Sequence, residues 1–188
     1  HPRVRRQRQM CIRDRYAGRI QKTAVEMKHF TLQELTYSAT ARKMNLDNAP
    51  TEEHRRNLEE MIDRLIDPLR EAWAVLCANE HWGTPALTVS SGYRGYRLNK
   101  AVGGSATSAH CVGWAVDLVP NNGRLREFKS FCREWLRGKR FDQMISENED
   151  AAGTPRWVHI GYKHQDGRQR KQLLSKPAGE TIYIPMTR

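Results

Sequence analysis

The run Ser108-Ala109-His110-Cys111-Val112-Gly113-Trp114-Ala115-Val116-Asp117 decides how this chain is read. It sets an imidazole in a loop of small residues and a carboxylate on the strand-like segment that follows. A hydrolytic zinc needs three nitrogen or oxygen ligands from the protein and one open position for water. His110 and Asp117 can meet on one ion if the chain turns at Gly113, which has no Cβ to clash. Ala115 then leaves room around such an ion. The third ligand must come from elsewhere, and Trp157-Val158-His159-Ile160 offers one. In a strand Trp157 and His159 share a face, while Val158 and Ile160 point to the core. Each signal alone is weak. A lone histidine on a strand is usually structural or merely exposed.

Upstream of this run, residues 86–91 read as a strand that ends in Ser91-Gly92-Tyr93-Arg94. A short helix over 96–102 and a Gly/Ser/Thr loop over 103–109 follow. Further back, Thr31-Leu32-Gln33-Glu34 fits a capping box. Asn48-Ala49-Pro50 breaks the chain, and Thr51 caps a long helix. Leu58, Met61, Ile62, Leu65, Ile66, Leu69, Trp73, Leu76 and Cys77 form its apolar stripe at three- and four-residue spacing. Pro68 lies inside this stripe and predicts a kink or break near Asp67.

Downstream, residues 114–119 alternate imperfectly as a second strand. A helical stripe runs from Leu125 to Leu136 and stops at Gly138. Residues 141–146 and 156–161 read as two more strands. From Tyr162 the chain is polar and basic, with one further short strand near 181–184. Helices come first and strands cluster later, so the expected class is α+β rather than a parallel doubly wound sheet.

The chain has 188 residues, enough for one domain with a proper core. No stretch approaches the ~18 apolar residues of a membrane span, so membrane insertion is not expected. The formal net charge is +11, and residues 1–26 hold eight Lys/Arg against Asp14 and Glu26. That stretch reads as a basic extension that is non-native or disordered, with residues 27–188 as the single domain. No apolar segment follows its basic start, so no signal peptide is expected. The remaining charge is mild, no nucleic-acid motif accompanies it, and no specific nucleic-acid partner is expected. Cys11, Cys77, Cys111 and Cys132 form no C-x-x-C pair and read as reduced thiols.

From Phe30 to about Lys171 the chain resembles the zinc D-alanyl-D-alanine carboxypeptidases and their phage relatives. The carriers are Ser91-Gly92-Tyr93-Arg94, the S-x-H-x-x-G-x-A-x-D run, Phe141 to Glu147, and Trp157-Val158-His159. The resemblance implies a hedgehog/DD-peptidase-like α+β fold, with a small antiparallel sheet carrying the zinc site and helices packed on one face. It implies His110, Asp117 and His159 as zinc ligands and the peptidoglycan stem peptide as substrate. It gives Arg94 the substrate carboxylate, which a guanidinium grips with two parallel hydrogen bonds. Ser108 is a second substrate-binding candidate.

Many relatives carry an acid three positions before the last histidine, where this chain has Arg156. Glu147 therefore becomes the candidate general base, with Asp142 behind it, and Glu149 and Asp150 read as solvated loop acids. The implied activity is D-Ala-D-Ala carboxypeptidase. The alternatives are an L-Ala-D-Glu endopeptidase of endolysin type and a non-catalytic, zinc-bearing wall-binding module. The expected protein is a monomer made in the cytoplasm and acting on the cell wall, of phage or prophage origin. Tyr93 and His54 read as packing or surface residues, and Arg97 as surface.

Overall fold

The first described helix begins for a local reason. The Thr31 hydroxyl accepts the Glu34 N–H, and the Glu34 carboxylate receives the Thr31 N–H at 2.8 Å, which completes the capping box. The computed structural model describes residues 27–186, so the basic extension lies outside the described residues.

Two short helices, α1 (Leu32–Thr36) and α2 (Ala39–Lys43), lead to α3 (Glu52–Met61), capped by Thr51. A wider π turn, Ile62–Ile66, joins α3 to α4 (Asp67–Asn79). Here the Asp67 N–H reaches back five residues to the Ile62 carbonyl. Pro68 has no N–H to give, and its ring would press on the carbonyl four residues back. The predicted kink thus takes the form of one loosened turn in a helix that continues.

The strands are β1 (Leu87–Ser91), β2 (Ala115–Pro120), β3 (Gln143–Glu149), β4 (Trp157–Gly161), β5 (Gln172–Pro177) and β6 (Ile184–Pro185). They form one sheet in the order β1-β2-β4-β3-β5-β6. Helix α5 (Tyr96–Ala101) follows β1, a 3-10 turn (Ala109–Val112) precedes β2, and α6 (Leu125–Trp135) separates β2 from β3. The mixed α+β class agrees with the sequence reading. The sheet itself corrects it, because β5 runs parallel to β3.

The physical cause lies in the strand order. Strand β4 is enclosed between β2 and β3, and its end at Gly161 lies opposite Gln143 at the start of β3, so the nearer free edge for the departing chain is that of β3. Residues 162–171 cross that end of β3 to its outer side, where Gln172 pairs with Gln143, and β5 then runs in the same direction as β3. Strand β5 escaped detection because it lies near the sheet's edge with only Ser175 buried, which leaves no apolar alternation to read.

Strand alternation sorts the sheet into two faces. Val116, Leu118, Met144, Val158 and Ile160 are fully buried and join the core with Trp73, Phe128 and Leu136. Trp73 meets Phe128, Phe131 and Trp82 at ring-centroid distances of 5.1, 5.3 and 5.7 Å. Each such aromatic contact contributes roughly 1 kcal/mol beyond burial. The opposite face carries Asp117, Ile145, Glu147 and His159. Among the described residues no helix is long and apolar enough to cross a membrane.

Candidate metal centre

Sheet register builds the site. Asp117 and His159 are partners across β2 and β4, and His159 is paired on its other side with Ile145 of β3. Glu147 stands two residues on from Ile145, on the same face, as a diagonal neighbour of His159. His110 enters from the 3-10 turn before β2. Gly113 ends that turn at φ +80°, and a Cβ there would lie 2.6 Å from the His54 carbonyl oxygen. The reversal predicted at this glycine is present, and no larger residue fits it.

Three donor atoms converge. His110 Nε2 lies 3.1 Å from His159 Nδ1 and 3.3 Å from Asp117 Oδ1, and His159 Nδ1 lies 2.9 Å from the same oxygen. Among the described residues these three form the group that can hold a metal ion. Zinc ligand bonds of about 2.0–2.1 Å at tetrahedral angles set ligand atoms about 3.3 Å apart, so the trio has the spacing of a tetrahedral face. The proton inventory points the same way. His110 Nδ1 donates to the Gly92 carbonyl at 2.7 Å, so the neutral ring presents only a lone pair at Nε2. That lone pair faces a carboxylate oxygen at 3.3 Å, a repulsive contact that a cation between them would relieve. The residues therefore fit a zinc ion.

The electrostatics suit ligation. Burial pushes His110 below its ordinary value, towards the neutral form that a metal requires. Burial opposes ionisation of Asp117 as well, but positive charge on either imidazole outweighs it and holds the carboxyl well below the usual range. The Gly92 carbonyl that orients His110 is itself fixed, since a Cβ at Gly92 would lie 2.1 Å from the Leu35 carbonyl oxygen. The tight seam between α1 and β1 thus supports the ring from behind.

The trio lies in a cleft of about 470 Å³ that is also lined by Arg94, Ser108 and Glu147. The three candidate ligands, Arg94, Ser108 and Glu147 are thus brought to one place, and Asp142 is not. Arg94 Nε is buried and has no hydrogen-bond partner, so a donor is left for an incoming acceptor. Burial raises the Glu147 carboxyl above its usual range, against the pull of His159 and Lys176. Arg156 is exposed on the strand connection and takes no part in the lining.

Two expectations about acids need correction. Asp142 is fully buried, and Arg170 spans both its oxygens at 2.7 Å, so it is spent on fastening the β4–β5 connection. Glu149 is not a solvated loop acid but pairs with Lys129 and accepts from Ser175 at 3.1 Å. Asp150 accepts the Ala152 and Thr154 N–H groups at 2.9 Å and shapes its turn. Tyr93 is buried, with its hydroxyl 3.0 Å from His54 Nδ1, which is the expected packing role. Cys77, Cys111 and Cys132 are free and buried, and Cys11 lies outside the described residues.

Sequence reasoning missed Lys176 and Tyr183, which also line the cleft. They arrive on β5 and just before β6, and no motif in the polar tail could signal them.

Residues 28–160 match the family model described as Peptidase M15. No curated protein shows significant similarity to the chain.

Proposed function

The chain belongs to the M15 peptidases, a family of zinc-dependent peptidases, and we propose that it hydrolyses peptide bonds in peptidoglycan stem peptides as a D-Ala-D-Ala carboxypeptidase. The supporting observation is the meeting of three metal-ligand side chains, an unpaired guanidinium and a buried carboxylate in one cleft.

His110, Asp117 and His159 would hold the zinc, which when bound supplies a Lewis acid that polarises a carbonyl and brings the pKa of a water to about 7. The remaining chemistry falls to the chain's own groups. Glu147 takes a proton from the attacking water and returns it to the leaving nitrogen. A carboxyl raised by burial is suited to both steps near neutral pH. Arg94 receives the substrate's terminal carboxylate with two parallel hydrogen bonds. Ser108, at the start of the 3-10 turn that carries His110, is placed to hydrogen-bond the peptide. The mixed sheet with helices on its apolar face suits a hedgehog/DD-peptidase-like fold.

Incubation of the protein with isolated peptidoglycan, with and without zinc, tests the reading by mass spectrometry. Zinc-dependent release of free D-Ala supports it. New amino termini at D-Glu would replace it with the endopeptidase, and absence of any product at one bound zinc would leave a wall-binding module.

A further inference from the structure

The matched family segment ends at residue 160, yet the cleft has a further wall built from residues beyond it. Strand β5 runs parallel to β3 with Lys176 in register with Glu147. The Lys176 ammonium lies 3.9 Å from Glu147 Oε2, outside hydrogen-bonding distance. It also sits over the Tyr183 ring, 5.4 Å from its centroid. The Lys176 side chain is only 26% exposed, and no acceptor among the described residues takes up its three N–H donors.

The other cations of the cleft differ in this respect. Arg170 is occupied by Asp142, and His164 lies 3.0 Å from Asp166. Arg94 and Lys176 are left with donors to spare. They reach in from different elements, Arg94 from the loop that follows β1 and Lys176 from β5. A single substrate carboxylate bridging both cations would be pressed against Glu147, which already lies 3.9 Å from the Lys176 ammonium, so separate carboxylates suit the two cations better.

We infer that Lys176, backed by the Tyr183 ring, forms an anion subsite that receives a second free carboxylate of the peptide substrate, distinct from the one held by Arg94. This inference rests on the proposed peptidase function. It narrows the substrate to peptides bearing an internal free carboxylate, and it makes the segment beyond residue 160 a determinant of specificity.

The test uses two stem peptides that differ only at the α-carboxyl of the D-Glu residue, free in one and amidated in the other. Hydrolysis is measured on zinc-loaded wild type, Lys176→Met and Lys176→Arg. Binding of both peptides is measured by calorimetry on zinc-loaded Glu147→Gln, with and without Lys176→Met. Wild type should prefer the free acid on the order of tenfold, as for hydrogen bonds to a charged group. Lys176→Met should treat the two peptides alike with unchanged zinc content, and Lys176→Arg should keep the preference. Equal treatment of the peptides by wild type, or an undiminished preference in Lys176→Met, would overturn the subsite. If nothing is hydrolysed, the proposed function fails, and the calorimetric comparison decides the subsite separately: a lysine-dependent preference upholds it, and equal or absent binding removes it.

Discussion

Asp117 and His159 are direct partners across two antiparallel strands, and their side chains meet at 2.9 Å on the polar face of the sheet. This pair is set by sheet register, so slippage of either strand by one residue would turn one member into the core. His110 is held independently, by a turn and by the Gly92 carbonyl. The candidate centre therefore combines a rigid pair with a third candidate ligand whose ring is oriented from outside the sheet.

Asp117→Asn keeps the shape of that pair and removes its charge. Two imidazoles and a neutral amide are poor partners for a divalent ion, and metal affinity should fall by at least an order of magnitude, as should that of His110→Ala. Elemental analysis after dialysis should find about one zinc per wild-type chain and little in either variant. Wild type, but neither variant, should lose thermal stability on chelation, because a bound ion stabilises only the folded state. Full zinc occupancy in Asp117→Asn would remove the carboxylate from the ligand set.

Glu147→Gln separates the proposed base from the proposed metal ligands. The amide preserves the side chain's volume but cannot accept the water proton. Zinc content should stay near that of wild type while kcat falls about 10²- to 10⁴-fold. Turnover at the wild-type rate would eliminate Glu147 as the base.

Arg94→Lys keeps the charge and loses the planar fork. If the guanidinium grips a terminal carboxylate through two hydrogen bonds, lysine is not an adequate substitute. Steady-state kinetics should show kcat/KM lowered by roughly 10- to 100-fold, the loss of one or two charge-assisted hydrogen bonds. A peptide with an amidated C-terminus should be a poor substrate for wild type and scarcely worse for the variant.

The sequence exposed what depends on local chemistry. His110, Gly113 and Asp117 lie within eight residues of one another, so their turn and their alternation could be read together. His159 was legible because Val158 and Ile160 mark its strand as half-buried. The capping box at Thr31 and the disturbance at Pro68 also follow from short-range rules. The far wall of the cleft was not legible. Lys176 reaches Glu147 only through a parallel pairing set by strand order, and an edge strand with mostly half-exposed side chains gives no periodic signal. Asp142 stayed ambiguous for a related reason, because its partner Arg170 lies 28 residues away.

Asp142→Ala tests whether that acid is structural. Its removal strands the Arg170 guanidinium, half-sheltered at 29% exposure, and uncouples the β4–β5 connection. Loss of one partner of a buried pair costs about 3–5 kcal/mol, and the exposed share of Arg170 places the expectation near the lower end. Chemical denaturation should show this loss, while folded protein at low temperature retains its zinc. A stable variant with abolished turnover would return Asp142 to the list of candidate bases.

Gly113→Ala probes the turn that delivers His110. At φ +80° an alanine is strained by about 1–2 kcal/mol. Its methyl group would also meet the His54 carbonyl oxygen at 2.6 Å and the Leu58 side chain at 3.1 Å. Both neighbours belong to α3, which is anchored in the core by Leu58 and Met61, so relief must come from the turn. Displacement of the turn carries His110 Nε2 away from His159 and Asp117, and a shift of 1 Å spoils tetrahedral spacing. The variant should therefore lose zinc affinity as well as about 2–3 kcal/mol of stability. A purely structural glycine would affect only the second quantity, so zinc titration of protein that is still folded distinguishes the two roles.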